Sequence, residues 1–244
     1  MQTLSLSGKS ALVTGGARRI GRQIAVTLAR AGADVVVTFK DSESEAGETV
    51  RTIQELGRRA LAIACDVRVE ESVRHAVAAA AAFHGHLDLL VNNAGVFQAA
   101  PLESMSVEQW DWIFETNARG PFLVSREALP HLRERRGRII HLGSLGGLHA
   151  WADHAHYCAS KAALHMLTQA MAKAFAPQVT VNCVAPGWIQ LDDDPGPAAA
   201  HFAAKTPLGR NGSAREVAEA VLFFAAGPAF VTGQVLAVDG GLGL

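Results

Sequence analysis

Tyrosine is almost missing from this chain: among 244 residues only Tyr157 carries a phenol, so chemistry that needs one has a single candidate. Cysteine is scarce as well. Cys65, Cys158 and Cys183 are odd in number and scattered, with no C-x-x-C, which argues against a disulfide frame or a zinc knuckle and for a reducing compartment. Net charge is nearly absent, since 22 Lys and Arg stand against 23 Asp and Glu. That balance gives no sign of the basic patch with which proteins meet nucleic acids or anionic membranes. No apolar run reaches the ~18 residues of a membrane span. The opening "MQTLSLSGKS" lacks the charged and apolar regions of a signal peptide. These absences together predict a cytoplasmic protein with neither a nucleic-acid nor a membrane partner.

What is present is apolar. Hydrophobic residues make up 49% of the chain, enough to fill one large α/β domain spanning 1–244. Short β-branched runs fall at 10–15, 33–39, 60–67, 87–95, 138–144, 179–187 and 233–241. Amphipathic segments separate them at 20–31, 43–57, 70–84, 106–135, 154–176 and 213–226. Near-continuous apolar strands alternating with helices predict a doubly wound parallel sheet of about seven strands, with helices on both faces. The stretch "QLDDDPGPAAAHFAAK" and its neighbours, 190–206, read as a mobile, substrate-binding loop.

The first strand runs into "VTGGARRIG". Gly15 and Gly16 permit a tight turn, Gly21 lets the following helix approach the sheet, and the helix N-terminus through Ile20 offers free N–H groups to a pyrophosphate. The choice of dinucleotide is read at the end of the second strand, where NAD sites place a carboxylate against the ribose hydroxyl. Here stand Phe39 and Lys40. Arg18, Arg19 and Lys40, with Ser42 as a donor, suit a 2′-phosphate, so NADP(H) is the expected cofactor. The plainer reading of Lys40 is a solvated surface charge, and Asp41 leaves NAD(H) possible. Asp66 and Val67 end the third strand, where a carboxylate and an apolar wall can meet adenine. Asn93, Ala94 and Gly95 end the fourth, at the ligand crevice of such sheets, although Asn92 and Asn93 also read as turn formers.

Tyr157 and Lys161, four apart on a predicted helix, project from one face. A free tyrosine titrates near pH 10, too high for efficient work at neutrality, and a neighbouring ammonium lowers that value. Ser144 closes the fifth strand 13 residues earlier and can donate to a substrate oxygen as charge develops. Asn117, polar within a long helical pattern, marks a kink or a buried water that could return protons to Lys161.

The ordered set "ALVTGGARRIG", "NNAG", "NARGPF", "YCASK", "VNCVAPGWI" and "VDGG" resembles the short-chain dehydrogenase/reductase family nearly end to end, in particular its 3-oxoacyl-ACP reductase-like and pteridine reductase-like members. The resemblance implies a single-domain Rossmann fold. It also implies a catalytic triad of Ser144, Tyr157 and Lys161 extended to a tetrad by Asn117, with Lys161 also holding the nicotinamide ribose. Pro186, Gly187 and Ile189 match the segment near the nicotinamide. The implied reaction passes hydride between nicotinamide and a carbonyl or secondary alcohol. Two departures stand out: Arg19 replaces a usual glycine, as in pteridine reductases, and Leu191 replaces a usual threonine. Ser144, where parasite-type pteridine reductases carry aspartate, favours an ordinary carbonyl over C=N reduction. An idle dinucleotide sensor would not need the intact Tyr–Lys pair.

Other features read more plainly. In "HAWADHAHY", Trp151, His149 and His154 wall the substrate pocket or cap the helix, with Trp188 on the pocket's other side, and His154 and His156 diverge too far to share a metal. No metal is expected. Asp192–Asp194 read as a solvated acidic loop. Trp110, Trp112 and Phe114 suit core or an interface. Family resemblance implies a homotetramer built on the helices at 106–135 and 154–176 and the last strand.

Overall fold

The computed structural model describes residues 4–191 and 196–244. In chain order the elements are β1 (Ser10–Val13), α1 (Arg19–Arg30), β2 (Asp34–Phe39), α2 (Glu43–Glu55), β3 (Ala60–Ala64), α3 (Glu70–His84), β4 (Leu89–Asn92), α4 (Val107–Phe114) and α5 (Gly120–Arg135). Then follow β5 (Arg138–Leu142), α6 (Ala155–Phe175), β6 (Thr180–Pro186), β7 (Ile189–Gln190), α7 (Gly196–Lys205), β8 (Gly212–Ser213), α8 (Ala214–Ala226) and β9 (Val235–Val238). The main sheet has seven strands in the order β3-β2-β1-β4-β5-β6-β9, and β7 pairs with β8 alone. All pairings are parallel. Strand order reverses between β1 and β4, which makes the carboxyl ends there the place where a doubly wound sheet opens a crevice.

Alternation along β1 shows why both faces need helices. Ala11 and Val13 enter one core cluster with Ile24 and Leu28 of α1 and Val217 and Val221 of α8. Leu12 points the other way, into a cluster with Val73 and Val77 of α3 and Leu123 and Leu132 of α5. Each of these side chains is removed from water almost completely, and each valine, leucine and isoleucine among them contributes roughly 1.5–3 kcal/mol before the entropy of ordering is counted.

One helix, one loop and several strand ends differ from the sequence-based expectation. The predicted helix 106–135 is interrupted: Glu115–Arg119 forms a π-helical turn between α4 and α5, with Thr116 and Asn117 buried inside it. Gly120 then lets α5 close on the segment after β3, since a Cβ there would lie 2.9 Å from Val67 Cγ2. The expected loop at 190–206 is largely structured. Ile189–Gln190 forms β7, and Gly196–Lys205 is helix α7, whose alanines have high helix propensity. Asp192–Asp194 lie outside the described residues. The predicted strands also run too far at their carboxyl ends: Thr14 and Gly15, Cys65 to Val67, Asn93 to Gly95, and Gly143 with Ser144 have all left the sheet.

Candidate active site

Those overrunning residues line the crevice. Thr14 Oγ1 accepts the backbone N–H groups of Asn93 and Ala94, both at 3.0 Å, tying the end of β1 to the end of β4. Gly15 takes a left-handed conformation (φ 62°), which glycine adopts without penalty. Asn93 Nδ2 donates to the carbonyls of Thr14 (2.9 Å) and Gly15 (3.0 Å), so Asn93 staples the turn rather than merely forming one. Gly21 has no room for a side chain: a Cβ would collide with the Gly15 carbonyl and lie 2.5 Å from Asn93 Nδ2. Thr49 Oγ1 donates to Ala17 O at 2.9 Å and anchors the loop to α2.

Arg18 occupies the N-cap of α1 in extended conformation, and the first turn carries no acidic residue. The N-terminal amides and dipole of α1 therefore face the glycine turn without a competing carboxylate, which fits a dinucleotide pyrophosphate. Arg19, the first residue of α1, is held at φ 53°. A non-glycine residue there costs about 1–2 kcal/mol. Its exposed side chain opens onto a groove shared with Arg22, Arg30, Thr52 and Leu191.

The second-strand cluster is arranged differently from expectation. Asp66, read as an adenine contact, is already engaged: Arg68 donates to its carboxylate from Nε at 3.0 Å and from a terminal nitrogen at 2.7 Å, and Lys40 Nζ lies 3.3 Å away. The Arg68 guanidinium holds the Asp66 carboxyl well below the usual carboxylate range. Lys40 is thus an ion-paired side chain, half exposed at the rim, in place of a free cation. Phe39 ends β2, half-buried, and Ser42 precedes α2. Sequence reading overlooked Arg68, although its position two residues after Asp66 is the spacing of a local side-chain grip.

The polar centre lies between β4, β5 and α6. Lys161 is buried and donates from Nζ to Leu142 O at 2.7 Å. Burial lowers its pKa to about 8, so the ammonium persists at neutral pH. It sits over the ring face of Tyr157, 5.9 Å from the centroid. Burial raises the Tyr157 phenol above its ordinary value, and the Ser144 hydroxyl is the group that pulls it back. Burial is the largest influence on the phenol here, while Lys161 is hydrogen-bonded to the Leu142 carbonyl. The Lys161 charge helps burial to keep His141 at about 3 and His165 at about 4, both neutral.

Ser144, buried at the exit of β5, accepts Gly146 N–H on Oγ at 3.1 Å. The Asn117 side chain is engaged by its protein neighbours. Its Oδ1 accepts Val96 N–H at 2.8 Å, and its Nδ2 donates to Val96 O at 2.9 Å and Ser160 Oγ at 3.2 Å. The π turn carries it inward, where it clamps the loop after β4 next to Gly95. Pro186 ends β6, Gly187 N–H donates to Val238 O at 3.0 Å, and Ile189 packs on the core beneath.

His165 is a buried residue that sequence reading missed. Its Nε2 accepts Ser144 N–H at 3.4 Å. Gly143 and Gly147 leave space for the ring: a Cβ on Gly143 would collide with His165 Nε2 and approach Cys183 Sγ to 2.7 Å, and one on Gly147 would come within 2.6 Å of His165 Cε1. Gly143→Ala is accordingly expected to destabilise the fold by about 1–3 kcal/mol through overpacking. His165→Ala in the same chain should recover at least about 1 kcal/mol of that loss as coupling between touching sites. A double-mutant cycle in urea measures it, and strictly additive effects would reject the socket.

Rings stand in front of Tyr157. Phe97 meets it edge-on (4.8 Å between centroids, 89°) and stacks on His154 (4.6 Å, 17°). Trp151 lies nearly parallel to Tyr157 (6.1 Å, 14°) and edge-on to His154. Trp188 stacks on Phe202 of α7 at 4.1 Å. His149 lies by the C-terminal Gly243, His156 is fully buried, and Trp110 stacks on Phe114 along α4, with Trp112 half-buried. Among the described residues no three His, Cys, Asp or Glu converge as metal ligands, and no helix is long and apolar enough to cross a membrane.

Residues 15–243 match the family model described as Enoyl-(Acyl carrier protein) reductase. The chain is 39% identical over 248 residues to the 3-oxoacyl-[acyl-carrier-protein] reductase FabG of Vibrio cholerae, covering 98% of this chain and 99% of that one. It is 36% identical over 249 residues to 3beta-hydroxysteroid dehydrogenase 1 of Eggerthella lenta, covering 98% and 95%. A crystal structure of a short chain dehydrogenase from Burkholderia cenocepacia in complex with NADP superposes with a TM-score of 0.92 at 40% identity, covering 98% and 99% of the two chains.

Proposed function

Because this chain belongs to the short-chain dehydrogenase/reductase family, we propose that it is an NADP(H)-dependent oxidoreductase that interconverts a carbonyl, of 3-oxoacyl or small-ketone type, and a secondary alcohol. The observation that carries this reading is the convergence of Tyr157, Ser144 and Lys161 at the carboxyl ends of β4 and β5, beside the Gly15–Gly21 cradle. Bound NADP(H) supplies or accepts the hydride. Gly15, Arg18, Arg19, Ile20 and Gly21 would hold its pyrophosphate side. Val67, Ala94 and Gly95 would line the adenosine crevice, and Lys161 with Pro186, Gly187 and Ile189 would hold its nicotinamide end.

The protein's own part is proton chemistry. Tyr157, with its pKa raised, keeps its proton at neutral pH and acts as the acid for carbonyl reduction. Ser144 Oγ already accepts Gly146 N–H, which leaves its own hydrogen to donate to the substrate oxygen. Lys161 supplies positive charge behind the ring as the phenolate forms. Asn117 acts through Val96, holding the loop between crevice and substrate side. Trp151 and Trp188 flank the substrate. The left-handed Arg19 lends some weight to a second reading, pteridine or dihydrofolate C=N reduction, against which Ser144 counts.

Exposed apolar side chains on α4, α5 and α6 (Val107, Phe122, Met166) and around β9 (Phe230, Leu236) support a homo-oligomer, a tetramer by family resemblance, in the cytoplasm.

Lys40, drawn toward Asp66, can turn to a 2′-phosphate only by exchanging ion-pair partners. NADPH is expected to bind at least about tenfold more tightly than NADH, consistent with one charge-assisted contact. Lys40→Ala should lose most of that ratio. Side-by-side fluorescence titrations check it, and tighter NADH binding would overturn the cofactor assignment.

A further inference from the structure

Phe97 combines two properties, a stacked ring partner and a largely exposed side chain. One face of its ring is covered by His154, stacked at 4.6 Å and 17°, yet the residue is 56% exposed. Much of the residue is therefore open to solvent beside the only phenol in the chain, against which Phe97 stands at 89°. The ring is not loosely placed. On one side of it, Val96 is held through both N–H and C=O by Asn117. On the other, Ala100 N–H donates to Asp153 O at 2.8 Å, which ties the Phe97 loop to the segment carrying His154. Trp151, braced on Gly146, adds a plane nearly parallel to Tyr157. The result is a right-angled corner of pre-set ring planes beside the Tyr157 ring. Preorganised aromatic faces reward a flat partner, and a puckered or linear one gains less from them. The walls Phe97 and Trp151 carry no charge to recognise an anionic substrate.

Resting on the carbonyl-reductase reading, we propose that the preferred substrate is a neutral ketone fused to or conjugated with a flat aromatic ring. In this assignment Phe97 and Trp151 determine specificity, and His154 positions Phe97 through their stack. The substrate ring completes a three-layer stack, His154–Phe97–substrate, with its carbonyl oxygen toward Tyr157 and Ser144. This choice separates the flat-ring ketones from the linear 3-oxoacyl thioesters that the functional reading also admits.

The test uses two ketones of one skeleton, 1-tetralone (flat ring) and 1-decalone (saturated), with NADPH and the full chain. KM is expected to be at least about tenfold lower for tetralone, the size of effect one good ring–ring contact produces. Phe97→Leu should raise the tetralone KM and bring the two values within about threefold. His154→Ala should do so partly, and His154→Phe should restore the difference by restoring the stack. Tetralone should also quench the tryptophan fluorescence of the wild-type protein more than decalone does, a readout independent of turnover. Equal KM values, or a ring preference that survives Phe97→Leu, would overturn the assignment. Turnover of a 3-oxoacyl thioester with neither ketone consumed would overturn it while leaving the carbonyl-reductase reading intact. Consumption of no carbonyl at all would remove that reading and this one together.

Discussion

Tyr157→Phe is expected to lower kcat for carbonyl reduction about a thousandfold, within the range that a positioned general acid contributes. The substitution deletes one oxygen. The ring keeps its contacts with Phe97 and Trp151, and Lys161 keeps its bond to the Leu142 carbonyl, so the fold and the cradle for the dinucleotide are left alone. NADPH affinity should stay within about threefold. The effect on rate is large because no other phenol exists to take over, and because Ser144 Oγ, already accepting Gly146 N–H, is a far weaker acid. Single-turnover oxidation of NADPH measures the chemical step, and fluorescence titration measures the cofactor. Turnover within tenfold of wild type would reject Tyr157 as the proton donor.

Gly21→Ala acts on the other half of the site. The added methyl has no free volume, since it collides with the Gly15 carbonyl and crowds Asn93 Nδ2, and both belong to the staple between β1 and β4. Either α1 moves outward or the staple breaks. Overpacking of this kind costs about 1–3 kcal/mol of stability. The displaced helix also no longer aims its amides at the pyrophosphate, so NADPH affinity should fall at least about a hundredfold, or about 2.7 kcal/mol. Urea unfolding and cofactor titration report the two losses separately. A dissociation constant within threefold of wild type would show that the turn does not hold the cofactor.

These two sites differ in how they could be read in advance. Gly15, Gly21, Tyr157, Lys161 and Ser144 stand at spacings that a strand–turn–helix unit or one helical face brings together, and the structure brings them to one crevice. Phe97 and His165 carry no such spacing. Phe97 gains meaning only from His154, 57 positions away, and His165 only from the absence of side chains on Gly143 and Gly147. The cation expected at Lys40 was altered by Asp66, a partner that packing brings to it from the end of a different strand. The π turn at Asn117 was legible as a polar interruption of a helix, but the direction in which it carried that side chain was not.

The amino-acid sequence alone determined the order of strands and helices, the two-sided core and the parallel sheet, because these follow from apolar periodicities of two and 3.6 residues acting over short stretches of chain. It also determined which residue types meet at the carboxyl ends of the strands. Only the tertiary structure decided their state: that burial dominates the phenol of Tyr157, that Lys40 is drawn to Asp66, and that Phe97 stacks on His154 while staying exposed. Proton affinities and ion pairs depend on desolvation and on atoms a few ångströms apart that packing brings together from distant parts of the chain.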